Sequence, residues 1–224
     1  MGPGGTLNFN DPVAIALSVM ALAMLAYGLA LVGRAPSLLR TVVKTLGVAA
    51  LAVAAALLQA PWLLVAALAV CAVGDAFLAL DPKRWLPAGM VAFLIGHALY
   101  IALFVAWKDP LLEPGPVRLA AFAALAAVAV TLLAFLWKHL GVLRPAVVLY
   151  VIVISAMTGF SFMLDATFWP AMVGSVAFLA SDAVLAVSLF RGEVLLGSTR
   201  ATHWTVWFLY CAAQIGITAA FVGL

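Results

Sequence analysis

Eight apolar stretches, each about as long as a bilayer is thick, dominate the sequence and leave few choices of fold. A spanning helix needs roughly 20 consecutive apolar residues, and such stretches are read at Pro12–Val32, Leu38–Leu58, Pro61–Leu80, Leu86–Trp107, Val117–Trp137, Pro145–Leu164, Phe168–Phe190 and His203–Val222. They are rich in Ala, Leu and Val and run on without alternation, which excludes a transmembrane barrel. Lipid satisfies no backbone hydrogen bonds, so the remaining spanning structure is the helix. Of 224 residues only 8% are charged, against roughly 25% in a soluble domain. The expectation is an all-α integral membrane bundle of eight transmembrane helices, forming one domain over residues 1–224. The first stretch has no Lys or Arg before it and is too long for a cleaved signal peptide, so it is read as a helix.

Between the stretches the punctuation is short. Gly33 to Ser37 separates the first pair, Gln59-Ala60-Pro61 the second and Asp81-Pro82-Lys83-Arg84 the third. Lys108 to Pro116 makes the longest outer loop. Gly141, the turn at Asp165 and the Arg191–Thr202 segment complete the set.

Loops 1–2, 3–4, 5–6 and 7–8 hold Arg34, Arg40, Lys83, Arg84, Lys138, Arg144, Arg191 and Arg200, whereas the opposite loops hold Lys108 and Arg118. By the positive-inside rule both termini face away from the cytoplasm, in a prokaryotic inner (plasma) membrane. The net charge of +3 therefore reflects topology, and no basic patch suggests a nucleic-acid partner. Cys71 and Cys211 lie within spans and read as packing residues. Tyr27, Trp85, Trp107, Trp137, Trp169, Trp204 and Trp207 read as interfacial anchors.

Ionisable groups inside a span are costly and face a protein interior or a wet cavity. Helix 2 carries Lys44, helix 3 Asp75, helix 4 His97 and Tyr100, helix 6 Tyr150, helix 7 Asp182, and helix 8 Tyr210 and Gln214 one turn apart. At 1.5 Å of rise per residue these positions fall at similar depth, between the cytoplasmic interface and the midplane. The outer half has almost none. A short internal repeat, Gly74-Asp75-Ala76-Phe77-Leu78-Ala79-Leu80 against Ser181-Asp182-Ala183-Val184-Leu185-Ala186-Val187, is what a parallel 4+4 duplication would leave.

The structural alternatives are a helix–helix hydrogen bond for each aspartate, neutralisation of a carboxylate by Lys44, or a Lys44 that snorkels to the interface. The three histidines lie on different segments without paired-ligand spacing, so no metal is expected. There is no Gly-x-Ser-x-Gly elbow. Ala72 stands where the intramembrane aspartyl proteases carry the first glycine of Gly-x-Gly-Asp. Two neighbouring carboxylates in a low dielectric resist joint ionisation and offer a general acid with a general base. The reaction class that suits them is hydrolysis of an acid-labile bond in a lipid. A proton-coupled transporter built on the same aspartates, or a lipid-binding protein, is the alternative.

Gly74-Asp75-x-Phe77-Leu78-x-Leu80, Phe93-x-x-Gly96-His97-x-x-Tyr100, Ser181-Asp182-x-x-Leu185-Ala186 and Tyr210-x-x-x-Gln214, with Lys44-Thr45-Leu46 and Tyr150, resemble the YhhN or lysoplasmalogenase-like family over helices 2 to 8. The resemblance implies about eight spans and hydrolysis, without cofactor, of the vinyl ether bond of a lysophospholipid drawn from the membrane lipid. The products are a fatty aldehyde and glycerophosphoethanolamine or glycerophosphocholine. It implies Asp75 and Asp182 as the catalytic pair, with Asp182 the acid and Asp75 the base. Lys44 would keep one aspartate ionised or meet the headgroup phosphate, and His97, Tyr100, Tyr150, Tyr210 and Gln214 would orient water and substrate. Cys211 departs from the pattern, where a second aromatic beside Tyr210 is expected.

Overall fold

The computed structural model describes residues 11–194 and 197–223, with the backbone alone at residues 82 and 83. Lys83, counted among the loop cations, therefore has no described side chain. Among the described residues eight long helices appear in chain order: α1 (Pro12–Ala26, continued by a π-helical turn at Tyr27–Leu31), α2 (Leu38–Leu57), α3 (Trp62–Ala79), α4 (Pro82–Trp107), α5 (Pro116–Leu136), α6 (Arg144–Ser161), α7 (Trp169–Arg191) and α8 (Thr199–Val222). All eight are long and apolar enough to cross a bilayer. The chain is an integral membrane protein.

The expected spans and the helices agree closely, and the largest departures have one cause. α4 begins at Pro82 and α8 at Thr199, about a turn before the apolar stretches at Leu86 and His203. The Asp81 carbonyl accepts from the Arg84 and Trp85 amides, so backbone bonds already close the first turn of α4, and the Ser198 side chain accepts from Ala201 N at 3.0 Å, capping α8. Hydropathy marks where lipid begins, whereas the first backbone bonds mark where the helix begins.

The tight turn between α2 and α3 contains no glycine. Gln59 takes its place in the left-handed region at φ +58°. The Gln59 and Ala60 amides return to the Ala56 and Ala55 carbonyls, a Schellman closure, and Pro61 then caps α3.

Neighbours in sequence pack as hairpins: α1 on α2, α2 on α3, α3 on α4 and α7 on α8. The ring continues with α4 on α6, α6 on α7 and α8 on α2. In the order of contacts, α4–α6 and α8–α2 are the pairs that exchange when α1–α4 are relabelled as α5–α8. That correspondence does not extend to α5. It lies outside the ring on α6 and α7, and only 6% of its apolar window is buried against 28–44% in the others.

In lipid no hydrophobic force drives helices together, so close backbone approach and dispersion must do so. At the α7–α8 crossing a Cβ on Gly174 would come within 2.9 Å of the Ala213 carbonyl oxygen, and one on Gly216 within 3.0 Å of that of Pro170. Toward the middle of the bundle Phe178 meets His97, Tyr210 and Phe93 edge-on, at centroid distances of 4.6, 5.4 and 6.3 Å. Phe178 lies one turn before Asp182. Its packing thus fixes the rotation of α7 that aims Asp182 inward.

Candidate active site

α3 delivers Asp75 to the interior, where the residue is 1% exposed. Tyr210 on α8 donates its hydroxyl to Asp75 Oδ2 at 2.7 Å. Lys44 on α2 brings Nζ to 3.1 Å from Oδ1, a charge contact rather than an aligned hydrogen bond. The ammonium is shielded from lipid by two aromatic faces, Tyr27 and Trp207, each with its ring centre 5.9 Å away. Their positions are held from α1: Trp207 Nε1 donates to the Met24 carbonyl at 2.9 Å, and Tyr27 opens the π-helical turn. Such turns occur often at functional sites.

Asp182 is built differently. It is half-buried, and Tyr150 on α6 donates its hydroxyl to Oδ2 at 2.6 Å. Among the described residues no cation bonds to it. Asp75 therefore has an ammonium and a phenol, and Asp182 a phenol.

Both carboxylates line one cavity of about 340 Å³. Its walls are mainly apolar, with Leu78, Leu86, Met90, Leu132, Val151 and Leu179 among them. Lys44, Tyr150 and Tyr210 also face it. At the end that carries the basic loops the lining changes to Arg34, Arg40 and His203. None of the lining residues comes from the loops at the other end. The result is an amphiphile-shaped space: an oily sleeve, a charged mouth and two acids between them.

His97, Tyr100 and Gln214 sit elsewhere. All three are fully buried and do not line the cavity. Tyr100 donates to Gln214 Oε1 at 2.5 Å, joining α4 to α8. His97 is wedged edge-on between Tyr150 and Phe178, and neither ring nitrogen has a protein partner. These residues stand behind the cavity wall, where His97 packs on Tyr150.

Two aromatic residues depart from expectation in the other direction. Tyr27 and Trp207 are each 3% exposed and line the cavity, so they are not interfacial anchors. Depth alone assigned them to the interface, and their closeness to Lys44, which the sequence does not show, gives them another task. Trp107, Trp137 and Trp169 are exposed as anchors should be. Among the described residues no group of three or more His, Cys, Asp and Glu side chains converges to hold a metal ion.

Comparison with known proteins gives this geometry a context. The sequence profile of the YhhN family matches residues 39–221. Two curated proteins named lysoplasmalogenase, from Mycobacterium bovis (strain ATCC BAA-935 / AF2122/97) and Mycobacterium tuberculosis (strain CDC 1551 / Oshkosh), are each 35% identical over 165 residues. The aligned part covers 70% of this chain and 59% of each relative, so the chain spans little more than half the length of the relatives it matches. No solved structure matches it significantly.

Proposed function

The chain belongs to the YhhN family, and from that membership we propose that it is a lysoplasmalogenase-like ether-bond hydrolase of the membrane it spans. Its substrate is a lysoplasmenyl-ethanolamine or lysoplasmenyl-choline, and its products are a fatty aldehyde and the glycerophospho-ethanolamine or -choline. The observation that carries this reading is the unequal pair of carboxylates on one apolar cavity. The name of the mycobacterial relatives supports the same reaction.

Enol ethers hydrolyse through protonation at carbon. Asp182, bonded to a neutral phenol, carries the proton and delivers it to the β-carbon. The π electrons form the new C–H bond and leave an oxocarbenium ion. Asp75, kept as a carboxylate by Lys44, stabilises that cation and takes a proton from the attacking water, giving a hemiacetal. The carbon–oxygen bond to glycerol then breaks. Asp75 returns its proton to the glycerol oxygen, the hemiacetal hydroxyl proton restores Asp182, and one water has been consumed.

A transporter using the same acids would need a path from both ends. The lining of this cavity stops short of the loops opposite the basic mouth, which favours the hydrolase. The basic end faces the cytoplasm in this reading, so the lipid enters from the inner leaflet and both termini lie outside. The test is aldehyde release from lysoplasmenyl-ethanolamine by the purified full chain in a coupled assay. Release is expected from the wild type and not from the folded Asp75→Asn/Asp182→Asn double variant. Equal signals from the two would defeat the assignment.

A further inference from the structure

We propose that Arg40, assisted by Arg34 and His203, forms an anion subsite at the cavity mouth that holds the phosphate of the lipid substrate. The inference rests on the hydrolase reading and gives the headgroup end of that site a set of residues.

Lys44, the other sequence-level candidate for the phosphate, is engaged: its Nζ contacts Asp75 at 3.1 Å. Arg40 lies one turn nearer the mouth on the same face of α2. Its Nη1 donates to the Ala79 carbonyl at 2.6 Å, which anchors the guanidinium across the end of α3. Its Nε is buried and has no partner in the protein. A buried guanidinium N–H costs free energy until an acceptor reaches it, and this arginine lines the cavity. No carboxylate other than Asp75 and Asp182 lines that space, so no resident acid competes for the mouth.

Arg34 and His203 complete the rim. The loop that carries Arg34 folds against the imidazole because Gly33 adopts φ +74°, and a Cβ there would stand 2.9 Å from His203 Nδ1. The first turn of α2, capped by Ser37, adds the positive end of a helix dipole.

The spacing fits the substrate. Arg40 and Lys44 are separated along the helix axis by about 6 Å at 1.5 Å per residue. In the lysophospholipid five bonds join the ether oxygen to phosphorus, and at about 1.5 Å per bond an extended zigzag spans roughly 6 Å. A phosphate on Arg40 therefore sets the enol ether level with the Lys44–Asp75 pair, and the ethanolamine or choline projects past Arg34 into water.

The experiment compares 1-alkenyl-glycerophosphoethanolamine with 1-alkenylglycerol, which has the same enol ether and no phosphate, on the purified full chain in neutral detergent. Arg40→Gln should lower the ratio of their kcat/KM values at least about tenfold, through KM of the phosphorylated substrate, because a charge-assisted bond is lost. Arg34→Gln, at an exposed position, should lower it less. A role for Arg40 confined to its Ala79 bond would depress both substrates alike, and an unchanged ratio overturns the subsite. Binding of the unreactive saturated ether 1-O-alkyl-glycerophosphocholine, measured against 1-O-alkylglycerol, is independent of catalysis. If neither alkenyl lipid is cleaved but Arg40 still governs preference for the phosphorylated ether, the subsite stands and the hydrolase reading falls. Absence of that preference overturns the subsite. So does a preference that depends on Arg40 only in vesicles containing phosphatidylglycerol, since the rim would then be binding bulk anionic lipid.

Discussion

Asp75 and Asp182 come from matching positions of a short repeat and share a cavity, yet their surroundings differ in kind. Asp75 is enclosed, with an ammonium on one oxygen and a phenol on the other. Asp182 is open to the cavity and takes a hydrogen bond from Tyr150. Each receives a partner from the helix that precedes its own, Lys44 on α2 or Tyr150 on α6, and the two partners differ in charge. Identical side chains thus have different partners, the arrangement by which the proposed mechanism gives them different protonation roles. A repeat thus supplies two carboxyl groups, and under the proposed mechanism its departure from symmetry is what assigns one as acid and the other as base.

The sharpest attempt to break this contrast is to remove each carboxylate alone. Asp75→Asn and Asp182→Asn should each lower aldehyde release by about 10²–10⁴-fold or more, the usual scale for a general acid or base. They should differ in stability. Asp75→Asn strands the Lys44 ammonium and should cost about 3 kcal/mol, visible as a lower midpoint of thermal unfolding in detergent. Asp182→Asn should cost little. Equal stability losses would mean that the Lys44 contact has no energetic weight.

Lys44→Met tests the same contact from its other side. It should destabilise by about 3 kcal/mol and reduce turnover, because Asp75 would no longer be held as an anion. Combined with Asp75→Asn, the two stability losses should fall well short of additive, while turnover stays absent. Additive losses would separate the two residues.

Smaller effects come from the phenols. Tyr150→Phe removes the hydrogen bond of Asp182 and should cost about 1 kcal/mol of stability with a turnover loss of about fivefold for that energy. Tyr210→Phe leaves Asp75 with its lysine and should lower turnover less. The reverse order would exchange the assigned roles of the two acids.

The smallest effect is expected at the far end of the bundle. Asp165 accepts from the Thr167 amide and hydroxyl at 2.9 and 2.8 Å, and these bonds hold its carboxyl below the ordinary carboxylate range. Its contribution is present above the unfolded-state pKa and is lost as pH falls through the lower folded value. The group is fully exposed, so Asp165→Asn should leave turnover unchanged and move the unfolding midpoint slightly at neutral pH. A large loss of activity would show that the outer end takes part in the reaction.

The sequence by itself determined the number of helices, their alternating direction and the depth of each polar group. A bilayer is a gradient along one axis, and hydropathy with loop charge reads position along that axis directly. Asp75, Asp182, Lys44, Tyr150 and Tyr210 could be set at one level from residue counting alone. Which of them touch was decided by the tertiary structure. So was the withdrawal of His97, Tyr100 and Gln214 behind the wall, and the use of Tyr27 and Trp207 as a screen around an ammonium. In water an amphipathic stripe tells a helix which side to bury. In lipid both sides are apolar, and rotation about the helix axis is set by contacts such as Gly174 against Ala213 and Phe178 against its ring of aromatics, which exist only once the neighbours are in place.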